Sequence, residues 1–234
     1  MSSRGASSGI AQAARSGSKL LILKGSISQG APLSKKAGFA DCRALKSVPM
    51  SPSLEREVKL AFRDAREARE AILAAGATPL RGRRLQEDCL LDTPDDCLRR
   101  RRCVLRVRME CGKTLLTFKG PVQESRMKVR EELETVVGDG LLLLHVLEEL
   151  GYRIWFRYEK YREEFAHEDV TVAIDETPVG TFVEIEGSEG GIHTMATALA
   201  RNPDDYVTDS YRGLYVKHCE SHGLPPSHML FEDL

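Results

Sequence analysis

At least six segments of this chain alternate apolar and charged residues with the two-residue period of a β-strand. Each collects its charges on one face, which calls for antiparallel sheet with one apolar and one highly charged side. The run 54–62 (LEREVKLAF) sets Glu55, Glu57 and Lys59 on a single face. Carboxylates two apart on a strand lie about 6–7 Å from each other. At an effective dielectric of about 20 their repulsion is on the order of 2–3 kcal/mol. A hard divalent cation between them turns that cost into a gain, so the pattern asks for a metal.

The arrangement recurs. Arg106 and Arg108 share a face in 104–110, and 113–119 ends in Lys119 before a Gly-Pro break. Residues 128–134 align Arg130, Glu132 and Glu134, and 158–162 align Lys160 and Arg162. The apolar run 170–176 carries Asp175 near its end. After a turn at 177–180, residues 182–187 align Glu184 and Glu186 in front of Val183 and Ile185. Taken singly, each segment also reads as a strand with one solvated face. Together, acidic pairs and basic pairs occupy separate strands. If the charged faces met inside a closed sheet, carboxylates could hold metal while cations surrounded a polyanion such as a triphosphate.

These motifs resemble those of the CYTH domains, or triphosphate tunnel metalloenzymes, which include class IV adenylyl cyclases, thiamine triphosphatases and inorganic triphosphatases. The opening E-x-E-x-K matches Glu55, Glu57 and Lys59, and a basic strand matches Arg106 and Arg108. A T-x-K-G-P element follows at Thr117, Lys119, Gly120 and Pro121. R-x-E-x-E matches Arg130, Glu132 and Glu134; K-x-R matches Lys160 and Arg162; the late aspartate and G-x-F-V-E-I-E-G match Asp175 and residues 180–187. A closing Ser-Tyr stretch lies at 209–214. The resemblance spans about 54–216. It implies an α+β fold: an eight-stranded antiparallel β-barrel forming a triphosphate tunnel, with flanking helices.

It further implies that Glu55, Glu57, Asp175, Glu184 and Glu186 bind Mg²⁺ or Mn²⁺. Arg106, Arg108, Lys119, Arg130, Lys160 and Arg162 would hold the phosphates, and Lys59, Glu132 and Glu134 would serve catalysis. The sequence departs from many relatives at 86–94 (QEDCLLDTP), where some hydrolases place a tyrosine to pair with the first-strand lysine. Cys89 and Leu91 cannot play that part. Gln86 and Asp88 there are closer to the cyclase-like branch.

The organisation follows from charge and composition. Of 34 basic and 35 acidic residues, eight and one fall in 1–49, leaving 26 against 34 and a net of −8 downstream. An acidic domain that binds triphosphate must gather its cations locally, which suits a tunnel and argues against a nucleic-acid surface. Residues 1–49, rich in Ser, Gly and Ala, read as a disordered basic leader, with Met50 as the natural start; an organelle transit peptide is the alternative. The CYTH domain is expected over 50–222 and a tail over 223–234. Helices are expected at about 63–75, 140–150, 192–200 and, capped by Asp209, up to 221, with apolar faces covering the barrel's outside.

The longest apolar stretch, 141–144, is far too short to cross a membrane. Six cysteines without C-x-x-C or a secretory leader suit a reducing cytoplasm. His218 and His222, four apart on a helix, lack a third metal ligand. The expected function is metal-dependent hydrolysis of a triphosphate: nucleoside, organic or inorganic. The alternatives are cyclisation of ATP to cyclic AMP and pyrophosphate, or polyphosphate binding without turnover. The resemblance also brings a homodimer into view.

Overall fold

The computed structural model describes residues 53–233, and the leader and the Met50 start lie outside the described residues. Eight strands follow in order: β1 (Ser53–Phe62), β2 (Thr78–Asp92), β3 (Val104–Glu110), β4 (Lys113–Lys119), β5 (Lys128–Val137), β6 (Arg153–His167), β7 (Val170–Thr177) and β8 (Gly180–Gly187). All pairings are antiparallel and the sheet closes on itself as β1-β5-β4-β3-β2-β6-β7-β8. The expected α+β barrel is the observed fold.

Closure explains the alternation. Val58 and Leu60 of β1 point outward into a core with Val172, Ile174, Val183 and Ile185, while Glu57 and Lys59 point into the lumen. Two helices, α1 (Ala65–Ala74) and α4 (Glu189–Ala198), seal that outer face with Ala68, Ile72, Ile192 and Met195, all fully buried. Burying side chains of this size contributes about 1.5–3 kcal/mol each, so the barrel is held from outside and its middle is left to charge. Each helix starts on a side-chain cap. Asp64 accepts from the Glu67 N–H and Ser188 from the Gly191 N–H, so α4 begins three residues before the apolar periodicity shows it. Gly187, at φ +155°, ends β8 where a Cβ would come within 2.5 Å of the Asp169 carbonyl.

A short α2 (Cys97–Arg100) sits in the β2–β3 connection, where the fully buried Asp92 carboxylate accepts from the N–H groups of Thr93, Leu98 and Arg99. Helix α3 (Gly140–Glu149) covers its side less completely than expected. Leu147 packs on Cys89, Leu91 and Val107, but Leu141, Leu142 and Leu150 are 73%, 58% and 68% exposed.

The last helix, α5 (Tyr211–His222), is capped by Ser210, one residue after the expected Asp209. It brings Tyr211 and Tyr215 against Phe156, Tyr158 and Phe182. The segment expected as a tail is packed on the barrel. Strand β7 pairs with β6 only from Tyr161 onward, leaving the edge of β6 before it open. Met229 fills that edge, donating to the Arg157 carbonyl at 3.0 Å and accepting from the Glu159 N–H at 3.0 Å. Its side chain is fully buried.

Candidate active site

Thirteen of the fourteen residues expected to form the site line one lumen of about 830 Å³. That lies within the range of about 300–1,000 Å³ usual for small-molecule sites. The fourteenth, Asp175, is fully buried and bonded to the lumen residues Lys160, Arg162 and Tyr211. Strand register brings the charges face to face. Glu55 lies opposite Arg130 and Glu57 opposite Lys128; on its other flank, Glu57 meets Glu186 and Lys59 meets Glu184. Lys119 faces Glu132, Asp88 faces Arg108, and Arg162 faces Asp175.

The ion pairs follow this register. The Lys119 Nζ lies 2.5 Å from Glu55 and 3.0 Å from Glu132, and the Arg130 Nε 3.1 Å from Glu55. Lys59 sits between Glu57 at 3.1 Å and Glu184 at 2.9 Å. Burial alone would favour its neutral form, but Glu184 and Glu57 raise its pKa above the ordinary lysine value. Glu57 and Glu184 thus favour the cationic form of Lys59. Burial likewise opposes ionisation of Glu57, yet Lys59 and Lys128 hold it well below the usual carboxylate range.

Across the lumen the cations dominate. Asp88 takes two bonds from Arg108, at 2.9 and 3.1 Å, with Arg106 at 3.5 Å. Asp175 accepts from Lys160 at 2.7 Å, from Arg162 at 2.7 and 2.5 Å, and from the Tyr211 hydroxyl at 2.5 Å. Arg162 also pairs with Glu184. The structure thus sets Asp175 among the guanidinium and ammonium groups as their anchor. Its oxygens are engaged there, as those of Glu57 and Glu184 are by Lys59, Lys128 and Arg162. Thr117, fully buried, accepts from Arg106 at 3.2 Å and donates to Glu134 at 2.8 Å.

Several lumen residues escaped the sequence reading as site residues. Lys128 was visible, because it continues the i, i+2 series of Arg130, Glu132 and Glu134 on β5. Gln86, Asp88 and Tyr158 belong to ladders whose pairing partners only the fold supplies. Tyr211 arrives from a helix N-terminus, where no period announces it. Its ring lies 5.2 Å below the Lys59 ammonium and 4.7 Å below that of Lys160. Burial and Asp175 push its hydroxyl well above the ordinary tyrosine value, so it serves as a donor.

Among the described residues, no three histidine, cysteine or carboxylate side chains converge on a common metal position. Lysines and arginines draw most of the acids to the walls. Glu186 is the exception: among the described residues no cation lies within 4.0 Å of it. It opens to the lumen yet sits deep among protein atoms. Burial and the neighbouring Glu55 and Glu57 push it up to about 7. An acid cluster with one uncompensated carboxylate, all oxygen donors, fits a hard divalent ion. Glu55, Glu57, Glu184 and Glu186 are the residues that would hold it.

Comparison with known proteins agrees with this architecture. The model of the CYTH domain matches residues 53–203. A provisionally named adenylate cyclase of Methanocaldococcus jannaschii is 29% identical over 175 residues, covering 69% of this chain and 99% of its own length. Among solved structures, a provisionally named adenylate cyclase of Vibrio parahaemolyticus superposes with a TM-score of 0.62 at 18% identity, over 70% of this chain and 98% of that one. A Hippeastrum protein, provisionally an adenylyl cyclase and described as revealing a dominant triphosphatase activity, gives 0.52 at 16% identity, over 74% and 97%. At these identities the two structures speak for the fold.

Proposed function

Since the chain belongs to the CYTH domain family, we propose that it is a divalent-metal-dependent enzyme that hydrolyses a phosphoanhydride bond of triphosphate substrates. The observation that supports this most directly is the lumen itself. A barrel of this size commonly fills its middle with side chains; here opposed cations and carboxylates line an open cavity. Mg²⁺ or Mn²⁺ held by Glu55, Glu57, Glu184 and Glu186 would neutralise phosphate charge and activate water.

The remaining work belongs to the chain. Arg106, Arg108, Lys119, Arg130, Lys160 and Arg162 exchange their carboxylate partners for phosphate oxygens, with Lys128 joining them. Asp88 and Asp175 keep those cations in place while they do so. Lys59, held protonated, stabilises charge developing on the reacting phosphoryl group. Glu132 and Glu134 orient the attacking water and accept its proton, and Thr117 fixes Glu134 and Arg106 relative to each other. Phosphoryl transfer asks little more than such positioning and charge neutralisation. Five free thiols among the described residues support a reducing compartment such as the cytoplasm. No helix among the described residues is long and apolar enough to cross a membrane.

A second reading, cyclisation of ATP, is favoured by the names of the Methanocaldococcus and Vibrio relatives. One assay separates the readings. The protein is incubated with Mg²⁺ or Mn²⁺ and ATP, tripolyphosphate or thiamine triphosphate, and the products are identified. Orthophosphate release is the expected result. Cyclic AMP with pyrophosphate would replace hydrolysis by cyclisation, and tight binding without product under either metal would leave a polyphosphate-binding module.

A further inference from the structure

Gln86 is 2% exposed, lines the lumen and lies opposite Lys160 across the β2–β6 ladder. Its Nε2 donates to Glu110 Oε2 at 2.5 Å. Glu110 in turn accepts from the Arg84 Nε at 3.0 Å, with Arg81 at 3.6 Å. Burial would raise the Glu110 acid, but the Gln86 amide and the Arg84 guanidinium hold it below the usual carboxylate range. An ionised carboxylate only accepts, so the orientation of the Gln86 amide is fixed: nitrogen toward Glu110, oxygen away. That oxygen is buried, and no donor among the described residues reaches it.

An unpartnered buried carbonyl is costly and calls for an explanation. Most polar groups nearby are engaged with one another, although among the described residues the Arg84 Nη2 makes no hydrogen bond and only an ion pair with Glu164 at 2.9 Å. Asp88 is bonded by Arg108, Lys160 by Asp175, and Arg84 faces Glu110 and Glu164. The free oxygen is an acceptor, and an ionised phosphate chain has no donor to give it. A metal ion is disfavoured at this position because Lys160 lies opposite Gln86 and Arg84 shares its Glu110 partner. A neutral N–H or O–H on the part of the ligand that is not phosphate is a donor that suits it.

We infer that Gln86 reads the organic group esterified to the triphosphate, accepting a hydrogen bond from its hydroxyl or amino group. This rests on the triphosphate reading of the tunnel and narrows it: the substrate is a triphosphate monoester carrying a donor, in preference to inorganic tripolyphosphate. Sites built to bond a substrate donor discriminate strongly against analogues that lack it.

The test compares kcat/KM for ATP, 2′-deoxy-ATP, 3′-deoxy-ATP, purine riboside triphosphate and tripolyphosphate in the wild type and in Gln86→Met. In parallel, calorimetry measures binding of a non-hydrolysable ATP analogue and of imidotriphosphate to both proteins, which needs no turnover. The expected result is a wild-type preference for ATP that falls about tenfold relative to tripolyphosphate in Gln86→Met. Either a deoxy analogue or the amino-free analogue should show the same loss in the wild type, and that identifies the donor. Because each ratio is taken within one protein, a change in folded fraction cancels. Equal ratios in both proteins would overturn the inference and leave the hydrolytic reading standing. Selective binding of the ATP analogue without turnover would support it while removing that reading. Failure of both analogues to bind would remove both.

Discussion

The two sides of the lumen use the same residue types to opposite ends. On the wall formed by β2, β3, β6 and β7, the two aspartates are outnumbered: Asp88 by Arg106 and Arg108, Asp175 by Lys160, Arg162 and the Tyr211 hydroxyl. On the wall formed by β1 and β8, Glu55, Glu57 and Glu184 each meet two cations as well, but Glu186 has none within 4.0 Å among the described residues. Carboxylates on the first wall shape the cations. On the second, Glu186 is left wanting positive charge. What an aspartate or glutamate does here is decided by how many donors face it.

The largest expected effect tests the saturated wall. Asp175→Asn leaves Lys160 buried without its counter-charge and Arg162 with Glu184 alone, and should destabilise the fold by about 3–5 kcal/mol in urea denaturation. An unchanged midpoint would show that Asp175 does not anchor them. Next comes Arg106→Ala, which removes one cation from the expected phosphate site and should lower kcat/KM by about 10²–10³-fold, or about 3–4 kcal/mol. Turnover at the wild-type rate would take Arg106 out of that site.

Glu186→Gln tests the unsaturated wall. It should reduce metal-dependent turnover by about 10²-fold while leaving the melting temperature of the metal-free protein unchanged or slightly higher, because it removes repulsion from Glu57. A clear loss of stability in the absence of metal would contradict the contrast between the walls.

The smallest effect is on pH dependence. Burial and its acidic neighbours place Glu186 at about 7, so below that pH it is protonated and holds no cation. Burial and like charges (Arg162 for Lys160, Lys59 for Lys128) push both lysines down to about 8; above that pH they lose the charge that holds phosphate. The profile of kcat/KM should therefore peak between pH 7 and 8 and fall by up to about tenfold per unit on each side. The acid limb should vanish in Glu186→Gln, and a flat profile from pH 6 to 9 would remove both assignments.

Much of this was legible in sequence because strand alternation writes the inward face directly. Glu55, Glu57, Lys59, Glu184 and Glu186 could be picked out from spacing alone. Closure was not legible that way and came from the family resemblance. The first half of β2 escaped notice, since Thr78 to Arg84 (TPLRGRR) contains Pro, Gly and three arginines and shows no apolar alternation. It is a strand because β6 pairs with it through two register shifts. The surroundings of Asp175 were illegible for a related reason. Its position on β7 showed that it points inward, but not that a tyrosine from α5 and two cations from β6 would be waiting there.

The opposed pairing of charges along the ladders also limits how this protein can change over time. Reversing Lys128 alone would set two acids against each other beside Glu57, whereas exchanging both members of the Glu57–Lys128 pair would preserve neutrality. Inherited substitutions in the lumen should therefore travel in couples drawn from facing positions on neighbouring strands. A slip of one residue in alignment would turn leucines inward and lysines toward the helices, so the same opposition guards assembly of the barrel against mispairing.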